Sequence, residues 1–363
     1  MADWNSLKEE IKLLAGEAGF DLCGVAPANG FAELEYFPHW IADGRHGEMN
    51  YLAARTDEQQ LKRQSLSAVA PWAKSVIVCA INYNSAQPYS TECNDPTRGW
   101  VSRYAWTRAD YHDIVLKRLR SLEARLPSLA GAQPEPPRTW CYVDTGPLIE
   151  RVFAQHAGIG WVGKNTCIIN QQLGSWIFLG VLLTSLPLPP DLPAPDRCGT
   201  CKRCLDACPT AALTAPYQMD ASRCIAYLTI EKRGSIPTDL REGMGRNVFG
   251  CDICQDVCPW NREAPRTTVP EFIPEVGLVN PELRGLSRMT VEEFRLTFRH
   301  SPVKRTKYDG LLRNVIVAMG NSGDVSFIGD LERLAECEDP VLHEQATWSL
   351  ERLRSAQVLA KQK

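Results

Sequence analysis

Long apolar runs are missing from this sequence. The greasiest, Trp176 to Leu183, falls well short of the ~20 residues a membrane helix needs and soon meets Pro187, Pro189 and Pro190. The start, Met1-Ala2-Asp3-Trp4-Asn5, lacks a basic segment followed by an apolar one, so the expectation is a soluble cytoplasmic protein without an export leader. An excess of one charge is missing too: 40 Lys and Arg stand against 43 Asp and Glu, a formal net charge of -3. Bulk charge therefore does not announce a nucleic-acid binder, although a local patch still could. With 44% hydrophobic and 23% charged residues, disordered, collagen-like and fibrous classes are excluded as well.

Cysteine, by contrast, is plentiful. The 363 residues carry 14 cysteines, eight of them between Cys198 and Cys258. In a secreted miniprotein such density implies disulfides. In a long chain without an export signal it implies metal.

Before the cysteine-rich stretch, helix-like and strand-like segments alternate. Leu7, Ile11, Leu14 and Ala18 recur at helical spacing, and Leu22 to Ala26 and Ser75 to Ile81 read as strands. Tyr111 to Leu126 is an amphipathic helix and Trp140 to Val143 a short strand. A helix is expected from Pro147 to Ala157, stopped by Gly158, and a hairpin of Thr166–Asn170 and Ser175–Thr184 around Gly174. The fold class is α/β or α+β, and periodicity does not choose. The Pro-rich connector Leu186 to Pro195 marks a boundary, and the chain turns helical from about Val291. The expected division is 1–190 catalytic, 191–262 cysteine-rich, and 263–363 basic linker and tail. Within the tail, Leu311–Met319 and Val341–Leu353 look like a HEAT-type helix pair, too short to be an array.

Cys198-x2-Cys201-x2-Cys204-x3-Cys208-Pro209 is the iron–sulfur run in which the fourth Cys ligates the other cluster. A second set, Cys251-x2-Cys254-x3-Cys258-Pro259, lacks one early cysteine, which Cys224 can supply. The count gives two [4Fe-4S] cubanes: Cys198, Cys201, Cys204 and Cys258 for one, Cys208, Cys224, Cys251 and Cys254 for the other. Structural zinc is the alternative for four-cysteine sites, but the three-residue step before Cys-Pro argues against it. Two cubanes relay electrons, so the domain before them should hold the redox centre. Cys79, Cys141 and Cys167, in expected strands, read as buried free thiols.

The strings Asp144-Thr-Gly-Pro-Leu-Ile-Glu-Arg151 and Ala157-Gly-Ile-Gly-Trp-Val-Gly-Lys-Asn-Thr166, followed by the split double-cluster motif, resemble the epoxyqueuosine reductase family. The likeness covers nearly the whole chain. It implies a modified nitroreductase-like cobalamin domain, akin to that of reductive dehalogenases, a ferredoxin-like double-cluster domain and a short HEAT-like tail. The implied activity is cobalamin-dependent reduction of the epoxide of epoxyqueuosine to queuosine at the wobble position of tRNA. Removing that oxygen takes two electrons and two protons, and a positioned acid must protonate it.

Asp144 matches the family's proton donor, and working near neutral pH would require its pKa to be raised, most simply by burial against the corrin. As a strand-end residue it is also a natural turn or cap. By matching strings, the resemblance makes Arg63, Ser102, Asp144, Thr166, Ile168 and Asp252 cobalamin contacts. Asp110-Tyr-His112 approaches the histidine-on motif Asp-x-His-x-x-Gly, but Val115 stands where Gly is needed. His112 therefore reads as an ordinary helix residue, consistent with the family's binding cobalamin without a protein histidine on cobalt. Lys164 reads as a phosphate or ion-pair partner.

From Arg284 to Arg313 eight basic residues face three acidic ones, a surplus able to follow a phosphate backbone. Lys304, Arg305, Lys307 and Arg313, joined by Lys232, are the expected tRNA contacts, and the partner is an anticodon loop from which a base is splayed. An external donor of the flavodoxin or ferredoxin type and a monomeric state are further expectations. The rivals are a corrinoid reductive dehalogenase, for which the twin-arginine leader is missing, and a ferredoxin-like carrier, which would not need some 190 residues before its clusters.

Overall fold

The computed structural model describes residues 3–107, 109–129 and 135–361. The first part is built on a four-stranded sheet in the order Leu22–Pro27, Ser75–Asn82, Ile177–Thr184, Thr139–Tyr142. Every neighbouring pair in it is antiparallel. This settles what periodicity left open: the domain is α+β.

Ser75–Asn82 is buried along its whole length, because helices cover both faces of the sheet. Alternation sends Ile77, Cys79 and Ile81 to one face and Val76, Val78 and Ala80 to the other. The first face packs on Leu7, Ile11 and Leu14 of helix Trp4–Glu17 and on Val115, Leu119 and Leu122 of helix Tyr111–Glu123. Asp3 and Asp110 cap those two helices through their carboxylates, each meeting backbone N–H groups left open at the first turn. The second face packs on Val152, Phe153 and Ala154 of helix Glu150–His156.

Two local expectations fail. The hairpin around Gly174 is reduced to a single antiparallel bridge between Asn170 and Gly174, because Ile168–Ile169 pairs with Trp161–Val162 while Ile177–Thr184 enters the middle of the sheet. A strand apolar on both faces is better placed with two partners than at the rim of a hairpin. The helix expected from Pro147 starts at Glu150, and residues 143–149 form a chain of bends in which Asp144 takes φ +60°.

The tail ends in helices Lys307–Ser322, Ile328–Ala335 and Pro340–Lys361, preceded by the shorter Leu283–Arg288 and Val291–Thr297. Leu311, Val315 and Ile316 share one core with Trp106, Val248 and Phe249, and Val269 and Phe272 pack into the core of the first sheet. Packing thus crosses both sequence boundaries. Among the described residues, no helix is long and apolar enough to cross a membrane.

Candidate active site

The eight clustered cysteines come together as two sets. Short helices Arg203–Ala207 and Ile253–Asp256 lie against each other and carry their flanking loops with them. Cys204 neighbours Cys198 and Cys201, and Cys258 neighbours Cys198 and Cys204. Cys251 neighbours Cys224 and Cys208, and Cys254 neighbours Cys251 and Cys224. These neighbours follow the two quartets expected from the spacing, while among the described residues no group of three or more is arranged to hold a metal ion as the chain stands. Burial pushes the Cys258 thiol up to about 11, so its thiolate form calls for the positive charge of iron. Cys167 is not in a strand: it lies just before Ile168–Ile169, with its thiol against Cys254.

The glycine-rich string ahead of Thr166 fastens this module to the sheet domain. Lys164 Nζ donates to the carbonyls of Gly199 (2.6 Å) and Cys201 (3.0 Å), and Asn165 Nδ2 to that of Cys254 (3.3 Å). Lys164 thus clamps a cluster loop, and its charge also acts on the Asp196 carboxylate. Asp252 is bound across the seam, accepting from Ser102 Oγ and from the Arg103 N–H at 2.5 Å. Ser102, Asp252 and Ile168 are all buried, the first two committed to each other.

Asp144 stands at the end of the edge strand, in a tight turn closed by Thr145 N–H to the Val143 carbonyl (2.7 Å). Gly146 is required there, since a Cβ would lie 2.0 Å from the Tyr142 ring. The Asp144 carboxylate lies deep among protein atoms, yet its side chain is 68% exposed, a combination that describes the wall of an open cavity. Tyr111 Oη donates to it at 3.1 Å and His112 Nε2 stands 3.7 Å away. Its charge is felt at Tyr51, Tyr104, Glu150 and Glu231, and Arg151 and Arg63 stand nearby.

The electrostatics differ from expectation. Attraction to His112, with Tyr111 and Arg151, outweighs burial and holds Asp144 below the usual carboxylate range. The raised carboxyl is Glu150, pushed up to about 8 by burial and by the Asp144 charge, even though it accepts the Asp144 N–H at 2.7 Å. Burial pushes Tyr51 up to about 12.

His112, read from sequence as an ordinary helix residue, belongs to this wall. So does Arg305, whose guanidinium pairs with Asp110 (2.9 Å), donates to His112 Nδ1 (3.0 Å) and lies over the Tyr111 ring. The one signal in the sequence is the Asp110-Tyr-His112 string, which resembles a cobalt-ligation motif and not a partner for Asp144. Of the six expected corrin contacts, Asp144 and Arg63 stand at the cavity and Thr166 is tied to it through Arg151, which donates to the Thr166 carbonyl at 2.5 Å. A separate cavity of about 430 Å³, lined by Pro38, Ile41, Arg55 and Gln60, shares none of these groups.

The basic segment is reshaped by the fold. Arg313 is 2% exposed and donates to the carbonyls of Leu228, Lys232 and Gly234, so it is a buried brace and not a tRNA contact. Arg284 and Arg288 are both spent on Asp330, and Lys232 on Glu48. Lys304 is bound to Asp110 at 3.2 Å, and Lys307 is exposed.

A strained carboxyl turn in a polar cavity, backed by two cysteine quartets, defines a two-cluster reductase. Residues 197–261 match the 4Fe-4S double cluster binding domain, and residues 63–145 match the family described as epoxyqueuosine reductase QueG, DUF1730. An epoxyqueuosine reductase of Xanthomonas campestris is 38% identical over 94% of this chain and 94% of its own. A crystal structure of epoxyqueuosine reductase with an epoxyqueuosine-modified tRNA-Tyr stem loop superposes with a TM-score of 0.83 at 33% identity, covering 96% of this chain and 90% of that one. A Bacillus subtilis epoxyqueuosine reductase, described with its aspartate catalytic loop swung out of the active site, gives the same values. The chain belongs to the epoxyqueuosine reductase family.

Proposed function

We propose that this protein reduces epoxyqueuosine to queuosine in the anticodon loop of tRNA, with Asp144 as the proton donor. The observation that supports this most directly is the Asp144 carboxyl, held on a positive-φ turn in the wall of a polar cavity beside the cluster module. One buried polar atom next to that cavity, Tyr142 Oη, finds no hydrogen-bond partner in the protein, as suits a wall made for a large ligand with a polar rim. Arg63 and Thr166 are the contacts proposed for cobalamin there, with Ser102, Ile168 and Asp252 in the buried seam behind. When bound, cobalamin fed by the two [4Fe-4S] clusters supplies the two reducing equivalents.

The residues of the chain supply the rest. Asp144 gives its proton to the oxygen as the C–O bond breaks. Filling the cavity strips water from a largely exposed carboxyl, and desolvation raises its pKa toward the working range. Tyr111 orients the carboxyl by its hydrogen bond. Lys304, Arg305 and Lys307 lie on the polar side of the tail and are the proposed phosphate contacts, with Lys232 beside them. The turn carrying Asp144 is taken to have an outward position, as in the Bacillus relative.

The division of labour follows the expected segments: a modified nitroreductase-like domain to 190, the cluster domain 191–262, and a HEAT-like tail from 263. A monomer served by an external flavodoxin- or ferredoxin-like donor completes the proposal. The test is anaerobic turnover of an epoxyqueuosine-containing stem loop with strong reductant, with and without cobalamin, read by nucleoside mass spectrometry. Cobalamin-dependent loss of one oxygen is expected. No conversion by protein holding both clusters and cobalamin would end the assignment and direct the search to small epoxides and organohalides.

A further inference from the structure

Asp144 is not a glycine, yet its backbone has φ +60° in a turn so tight that the N–H two residues past Val143 closes back on the Val143 carbonyl. A β-substituted residue enters that region against steric resistance and stays there only when its surroundings hold it. Its side chain accepts one hydrogen bond, from Tyr111 at 3.1 Å, stands 3.7 Å from His112 Nε2, and is otherwise open. Its backbone N–H, which the three-residue turn leaves free, is taken by Glu150 Oε1 at 2.7 Å. Glu150 begins the helix Glu150–His156, whose Val152, Phe153 and Ala154 are sunk in the sheet core, so its carboxylate is anchored to a packed element of the domain. The segment between them is short and is pressed on the Tyr142 ring at Gly146.

We propose that Glu150 is a positioning residue for this reaction: by accepting the Asp144 N–H, its side-chain oxygen latches the strained turn with the acid pointing into the cavity. This rests on the assignment of Asp144 as the proton donor. The latch needs an acceptor oxygen at that reach; it does not need the substrate, the clusters or a corrin to form. A turn held by one such bond can open without unfolding the sheet, and closing it aligns the proton before transfer.

The experiment compares Glu150→Ala, Glu150→Asp and Glu150→Gln in the full cluster-loaded chain. Gln keeps an oxygen at the same distance, Asp falls short by one methylene, and Ala removes the acceptor. Hydrogen exchange of peptides covering residues 143–149 should quicken ~10-fold or more in Ala and Asp but stay near wild type in Gln. With the stem-loop substrate, Ala and Asp should lose ~10- to 100-fold in kcat with little change in KM, iron content or cobalamin titration, while Gln stays within ~3-fold. Wild-type exchange in both Ala and Asp overturns the latch, as does a Gln variant as impaired as Ala. Should wild-type protein not turn over the substrate at all, the functional assignment falls while the exchange data still decide the latch. Should Ala not fold, Asp and Gln carry the comparison.

Discussion

Arg305 donates to Nδ1 of His112 at 3.0 Å while pairing with Asp110 at 2.9 Å. A guanidinium has only donors, so Nδ1 must accept, and the imidazole proton sits on Nε2, facing Asp144 at 3.7 Å. The basic tail thus reaches the reacting carboxyl through a single ring, an arrangement that ties the proposed tRNA face to the acid.

Asp144→Asn should keep both clusters and cobalamin while losing ~100- to 10,000-fold in turnover, because the amide cannot give up a proton to the departing oxygen. Iron content, the cobalamin spectrum and stem-loop conversion are the three readouts. Full activity would remove Asp144 from the mechanism.

His112→Ala removes the leading cause that holds Asp144 low, so burial then dominates and the Asp144 pKa rises. An acid loses activity as pH climbs through its pKa. The limb of kcat/KM that falls with rising pH should therefore move to higher pH in the variant. An unmoved limb, or one moved downward, would mean that His112 does not set this carboxyl.

Asp110, 3% exposed at its side chain, loses hydration by burial, but the bonds from Arg305 and Lys304 more than offset that and keep its pKa below the ordinary value. Its folded pKa being depressed, its stabilisation is present above ~pH 4 and fades as pH falls through the lowered value. Asp110→Asn should cost ~1–3 kcal/mol at pH 7, with the gap to wild type narrowing as pH falls below ~4. Denaturant midpoints at the two pH values measure it.

Cys224→Ser should lower bound iron from ~8 to ~4 per chain, since Cys224 completes the second quartet, whereas Cys337→Ser should change nothing. An unchanged iron count in the first variant would overturn the ligand assignment.

Arg313→Ala should destabilise the fold by ~2–4 kcal/mol, leaving three backbone carbonyls without their donor. Lys307→Ala should leave stability unchanged and reduce the salt slope of stem-loop binding by ~1. Equal stability effects in the two variants would undo the distinction drawn between brace and surface contact.

The double-cluster domain was legible in the sequence because a cubane imposes short, fixed spacings on neighbouring cysteines. The strands at Leu22 and Ser75, the helices Trp4–Glu17 and Tyr111–Glu123, and Asp144 at a strand end were legible for the same reason: each is a local pattern. The antiparallel order of the sheet was not, since pairing is chosen among segments far apart in the chain. Nor could sequence foresee that Arg305 would cross 193 positions to His112, or that burial would turn Arg313 from a surface cation into a brace. Sequence fixes which groups can hold iron or carry a proton. Which of them face one cavity, and with what protonation, depends on contacts between distant residues and on the loss of water around them, and those exist only in the folded chain.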